Sequence, residues 1–218
     1  MRQHHYLASR GSLIPVVDFL LYFRMLMRQI PTLLLLVALL PCGMPAAAPA
    51  QTTAPSAPST PKMDRLVVYG DGFAFGVKEP EGWHGDTTEN VERYGANVLF
   101  YRPGVDPGKP EGVIRVRISK KADEDTAADL KADMVGYRKQ FPKVEFRELS
   151  VFHPQYRVLA KEFTVPGEFH EYVAYVNPGP RLQYIFSVAL NTGATPATDA
   201  ELAALRTVIA SLAALPTK

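Results

Sequence analysis

One cysteine, Cys42, stands in 218 residues. A disulfide core, a cysteine-based zinc site and an iron–sulfur cluster are thereby excluded. No apolar run reaches the ~20 residues that an ordinary transmembrane helix needs. There is no P-loop, dinucleotide fingerprint or other glycine-rich loop opening a helix, and no cofactor is expected. A charge excess is also missing. The net charge is +2, and residues 1–50 hold four of the 24 basic residues but only one of the 22 acidic ones. The remainder is balanced to within one charge, so nucleic acid is not an expected partner. What the chain does have is 47% hydrophobic against 21% charged residues, which excludes both a disordered chain and a multi-pass membrane protein.

The basic excess belongs to an address. Met27-Arg28-Gln29 precedes the apolar stretch 30–40, and the small residues Ala46-Ala47-Ala48-Pro49-Ala50 follow it. That is the order of a secretory signal peptide. Ala48-Pro49-Ala50 fits the small-x-small rule, so cleavage is expected between Ala50 and Gln51. The signal proper spans about 25–50, and Met25 and Met27 compete with Met1 as the start. Leu39-Leu40-Pro41-Cys42-Gly43 looks like a lipidation box, but Pro41 breaks its small-residue rule. An uncleaved signal or a lipidated Cys42 is therefore the lesser alternative, anchoring the chain to a membrane. If Cys42 leaves with the signal, the exported chain has no thiol, as suits an oxidising compartment. The expected location is periplasmic or secreted.

Residues 51–63 are rich in Pro, Ala, Ser and Thr, a composition that cannot offset its ordering entropy and reads as a flexible tether. One domain is expected over 64–218. It opens with Leu66-Val67-Val68-Tyr69 and, after the turn Gly70-Asp71-Gly72, the alternating Phe73-Ala74-Phe75-Gly76-Val77. Residues 85–97 are polar and read as loop. Val98-Leu99-Phe100-Tyr101 and 113–118 read as strands on either side of a Pro/Gly-rich loop, 103–112.

The period then changes. Ala127, Leu130, Met134, Tyr137 and Phe141 form one helical stripe, with Asp123, Glu124 and Asp125 at its start and Arg138 and Lys139 at its end, as the macrodipole favours. Residues 144–151, 156–165, 169–176 and 182–190 read as four strands joined by short Pro-containing connections, an antiparallel meander. Thr198 and Glu201 form a capping box for a last helix carrying Leu202, Leu205, Ile209 and Leu212. The sum is an α+β domain: an antiparallel β-sheet with two amphipathic helices packed on it.

The element order, with Gly72-Phe73-Ala74-Phe75-Gly76-Val77, Pro80-Glu81-Gly82-Trp83 and the helix over 201–212, resembles the PsbP-like fold. That family includes the extrinsic photosystem II subunit PsbP, an import factor that binds the GTPase Ran, and bacterial periplasmic proteins. The resemblance implies an α/β/α sandwich and a binding or assembly role rather than an enzyme. It carries over no ligand, and no residues match a photosystem or Ran interface.

The strongest chemical candidates are Glu162, Glu171 and His170. A tight two-residue turn at Pro166-Gly167 sets Glu162 opposite Glu171, where facing carboxylates repel and one pKa rises; a longer loop would give another register. In the tight register His170 shares a face with Lys161, Glu168 and Tyr172. The alternative to catalysis is a solvated sheet face. His84, His153 and His170 show no metal-ligand spacing, and Ser119, Ser150 and Ser187 lack a nucleophile elbow. Trp83 reads as core. The basic run Arg115, Arg117, Lys120, Lys121 is followed by Asp123-Glu124-Asp125 and reads as locally neutralised. Two function classes remain: an exported binding or assembly module recognising an envelope protein or small ligand through the loops 85–97 and 103–112 or a sheet edge, and a hydrolase using scattered carboxylates and histidines.

Overall fold

The computed structural model describes residues 65–109, 111–122 and 126–216. The signal, its cleavage point at Ala50 and Gln51, Cys42, the tether and the acidic run Asp123-Glu124-Asp125 lie outside the described residues.

Seven antiparallel strands form the main sheet, in the order β3(His84–Asp86), β4(Val98–Tyr101), β5(Val113–Lys120), β9(Tyr184–Gly193), β8(Phe169–Asn177), β7(Arg157–Val165), β6(Glu145–Glu148). The expected meander is β6 to β9. The first hairpin, β1(Leu66–Gly70) and β2(Phe73–Val77), does not join it. It forms a separate sheet with β10(Ala213–Ala214). A two-residue strand after a helix has no period to read, which is why one sheet was expected where there are two.

Three helices, not two, are present among the described residues: α1(Glu89–Arg93), α2(Ala127–Gln140) and α3(Asp199–Ser211). The extra helix and all of strand β3 but His84 fall in 85–97, which was expected to be loop. Each is five residues or fewer, too short for either period to show. Buried Asp86 organises the segment by accepting hydrogen bonds from the Thr88 amide (2.7 Å) and hydroxyl (2.6 Å).

Alternation on the central strands divides the core in two. Phe186, Val188, Leu190, Ala174 and Val176 face Leu205, Val208 and Ile209 of α3, together with Phe75 and Val77 of the small sheet and Trp83. Ile185, Ala189, Val173, Tyr175 and Phe163 face Leu130 and Tyr137 of α2. Beyond them on this face, Leu99 and Val113 pack with Val91 and Tyr94 at α1. The result is the expected α+β sandwich, with helices on both faces of an antiparallel sheet. The α3 capping box is complete: Glu201 N donates to Thr198 Oγ1 (3.3 Å) and Thr198 N to Glu201 Oε2 (2.9 Å). The chain end is tied down by His153, whose Nε2–H donates to Leu212 O (2.8 Å), and by Tyr156, whose hydroxyl accepts from Ala214 N (3.1 Å).

Candidate functional site

Pro166 and Gly167 take the central positions of a type II turn, with Gly167 at φ 75° and Glu168 N bonded to Val165 O (2.9 Å). Glu168 is one residue more than a tight hairpin holds, so Val165 pairs with Phe169. The longer-loop alternative therefore holds, and the register differs by one from that of the tight turn. Glu162 faces Tyr172 and Glu171 faces Phe163. Since side chains alternate between faces, Glu162 and Glu171 point to opposite sides of the sheet, and the facing pair of the tight-turn register does not form. The same shift takes His170 away from Lys161 and sets it opposite Thr164.

On the α3 side, His170 Nδ1 lies 2.9 Å from Glu162 Oε1, and the Thr164 hydroxyl donates to the same oxygen at 3.2 Å. The His170 and Glu162 side chains keep 15% and 19% of their exposure, so this pair still meets solvent. Burial alone would push Glu162 up. The hydrogen bonds from His170, Thr164 and Tyr172 and the His170 charge outweigh it and hold the carboxyl below its ordinary range. The arrangement is a carboxylate orienting an imidazole.

On the α2 side, Glu171 is almost fully buried. Arg115 of β5 reaches across β9 to its Oε1, and the Tyr137 hydroxyl of α2 donates to its Oε2. The local neutralisation expected for the run starting at Arg115 is thus corrected for Arg115 itself. Its partner comes from β8, 56 residues on, which no local charge pattern reveals. Next to this group, the Tyr175 hydroxyl donates to Asp133 Oδ2. Burial, reinforced by the charge of Glu171, pushes Asp133 up to about 7, with Arg117 pulling the other way. Burial also lifts Tyr137 well above its ordinary value, as do the charge and hydrogen bond of Glu171. Tyr94, beside Arg115, is pushed up to about 12, chiefly by burial.

Asp133 and Tyr175 were not singled out from the sequence, and Tyr137 and Arg117 were read only as members of the helical stripe and of the neutralised basic run. One signal was present: Leu130, Asp133 and Tyr137 are spaced three and four apart, which puts a carboxylate on the apolar stripe of α2.

The remaining candidates are structural. His153 Nδ1 accepts from Gln155 N (3.0 Å) and Tyr156 N (2.9 Å), so both ring nitrogens are used. Trp83 is buried in the core, with the Arg102 guanidinium 5.8 Å from its ring. His84 packs edge-on against Tyr101. Among the described residues no group of three His, Cys, Asp or Glu is arranged to hold a metal, and no helix is long and apolar enough to cross a membrane.

Loop 103–112 and the helical segment 89–94 meet at one end of the sheet. Val105, from 103–112, packs with Val91 and Tyr94 beside the edge strand β3.

No protein-family model and no curated protein matches the chain. A crystal structure of LpqN, involved in cell envelope biogenesis of Mycobacterium tuberculosis, is similar over 70% of this chain and 91% of that one, with 18% identity and a TM-score of 0.44. At that level no residue role or activity transfers.

Proposed function

We propose that this chain is an exported, non-catalytic binding or assembly module of the cell envelope, recognising a protein or small ligand through the loops at the β3 edge. The observation that carries this reading is the separation of Glu162 and Glu171 by the sheet. A two-carboxylate hydrolase needs its pair across one bond, with the carboxyl groups about 5–9.5 Å apart on either side of the substrate. Here each carboxylate is engaged by its own partners on its own face. The packing of loop 103–112 against α1 and the chain after it supports the edge as the recognition surface, since binding residues concentrate on loops held by a rigid scaffold. The leader read from the sequence supports export.

A second reading, a hydrolase, has one observation in its favour. The Glu162–His170 contact orients an imidazole as a general base is oriented.

Fractionation tests the first half of the proposal. The protein is expected in the envelope or medium, with an intact mass beginning at Gln51. Full-length chain in the cytoplasm would overturn it. Tagged protein captured from separate membrane and soluble fractions tests the second half. The expected result is a species retained by the wild type and lost when 103–112 is replaced by a Gly/Ser loop. Retention that ignores the loop would contradict it.

A further inference from the structure

Two arginines leave the same face of β5, two residues apart, and end differently. Arg115 closes on Glu171. Arg117 is half-buried, and no acceptor among the described residues lies within hydrogen-bond or ion-pair reach of it. Its guanidinium feels the Asp133 carboxylate only at a distance. The Tyr175 hydroxyl donates to one Asp133 oxygen, and no described residue bonds to the other, Oδ1. Between these groups, Arg117, Ser187 and Tyr175 form one straight row across β5, β9 and β8. Ser187 is half-buried and its hydroxyl has no partner among the described residues. In the neighbouring row, Arg115, Ala189 and Val173 are all buried. The open row thus holds a guanidinium, a hydroxyl and a carboxylate oxygen that no described protein group satisfies.

We propose that Arg117, Ser187 and Asp133, on the face that α2 covers, form a binding site for a phosphoryl group. The Arg117 guanidinium is half-buried but keeps access to solvent, so an anion can reach it, and its planar fork matches two phosphate oxygens. The Ser187 hydroxyl donates to a third. A singly protonated phosphate also carries a P–OH, which donates to Asp133 Oδ1. Burial pushes Asp133 up to about 7, so near neutral pH about half of it is uncharged and it repels an anion less than an ordinary aspartate would. A carboxylate ligand has no such proton to give. The site lies under α2, apart from the loop edge proposed above, and stands or falls separately.

Inorganic phosphate titrated into the purified protein by calorimetry tests it, with acetate as the comparison probe. Saturable phosphate binding near or below about 1 mM is expected, with acetate weaker. Arg117→Gln is expected to weaken phosphate about tenfold or more and Ser187→Ala about fivefold, near-UV circular dichroism reporting the fold of each. Arg147→Gln, which removes an exposed arginine on the other face, is expected to stay within about twofold. Co-sedimentation with phosphatidylglycerol vesicles that is lost in Arg117→Gln would assign the phosphoryl group to a lipid headgroup. Phosphate binding without co-sedimentation would assign it to a soluble phosphate. No saturation up to about 10 mM, equal affinity in the folded Arg117 and Ser187 variants, or equal loss in Arg147→Gln would overturn the proposal.

Discussion

Tyr137 donates its hydroxyl to the Glu171 carboxylate, whose other oxygen is held by Arg115. One buried carboxylate therefore joins α2 to two strands that are separated by β9. The helix needs that link. Its buried residues are few, chiefly Leu130 and Tyr137, so apolar contact alone holds it weakly, and at about 25 cal/mol per Å² each lost side chain counts.

Glu171→Ala is expected to destabilise the protein by about 3–5 kcal/mol, because it leaves Arg115 buried without its carboxylate. The triple variant Arg115→Met, Glu171→Leu, Tyr137→Phe removes every member of the group and is expected to recover most of that loss. Urea unfolding of the three proteins checks both values.

Asp133 and His153 give stability opposite pH slopes. Asp133 rises from 3.8 to about 7 on folding, so the folded state holds its proton more tightly. Its contribution is complete below about pH 4 and is lost as the pH rises to about 7. Burial holds His153 below its ordinary 6.5 against the hydrogen bond to Leu212. Its contribution is complete above about pH 6.5 and is lost as the pH falls. Asp133→Asn is expected to gain about 2 kcal/mol at pH 8 and to flatten the decline between about pH 4 and 7. Urea midpoints across that range measure it.

The two buried or half-buried histidines should hold opposite neutral tautomers. His153 donates from Nε2 and accepts at Nδ1. His170 donates from Nδ1 to Glu162. Nitrogen-15 NMR of the rings at alkaline pH is expected to show Nε2–H for His153 and Nδ1–H for His170. Glu162→Gln is expected to blur only the second.

Thr198→Ala is expected to cost about 1 kcal/mol. It removes the Oγ1 acceptor for Glu201 N at the start of α3, and thermal unfolding reads the loss.

Where the sequence read well, local physics decided the structure. Thr198 and Glu201 sit three apart and cap α3 as their spacing requires. Leu182, Tyr184, Phe186, Val188 and Leu190 alternate, and the members described in the main core all face α3. Where it read badly, a single residue or a distant partner decided. Glu168, added after the Pro166-Gly167 turn, moved Glu162 and Glu171 to opposite faces, and hydropathy does not count turn residues. Arg115 alternates with Val116 as a solvent-facing arginine would. Its burial follows from Glu171 and from Tyr137 on α2, neither of which is local to it. The turn of α1 and the two residues of β10 are too brief to carry any period.

Capture from the cell envelope with three proteins side by side is the most direct test of the binding role: wild type, the 103–112 Gly/Ser replacement, and Glu162→Gln with His170→Asn. A retained species lost only with the loop replacement is the expected result. A species, or a hydrolytic activity on envelope extract, that survives the loop replacement and disappears with the Glu162 and His170 changes would contradict it.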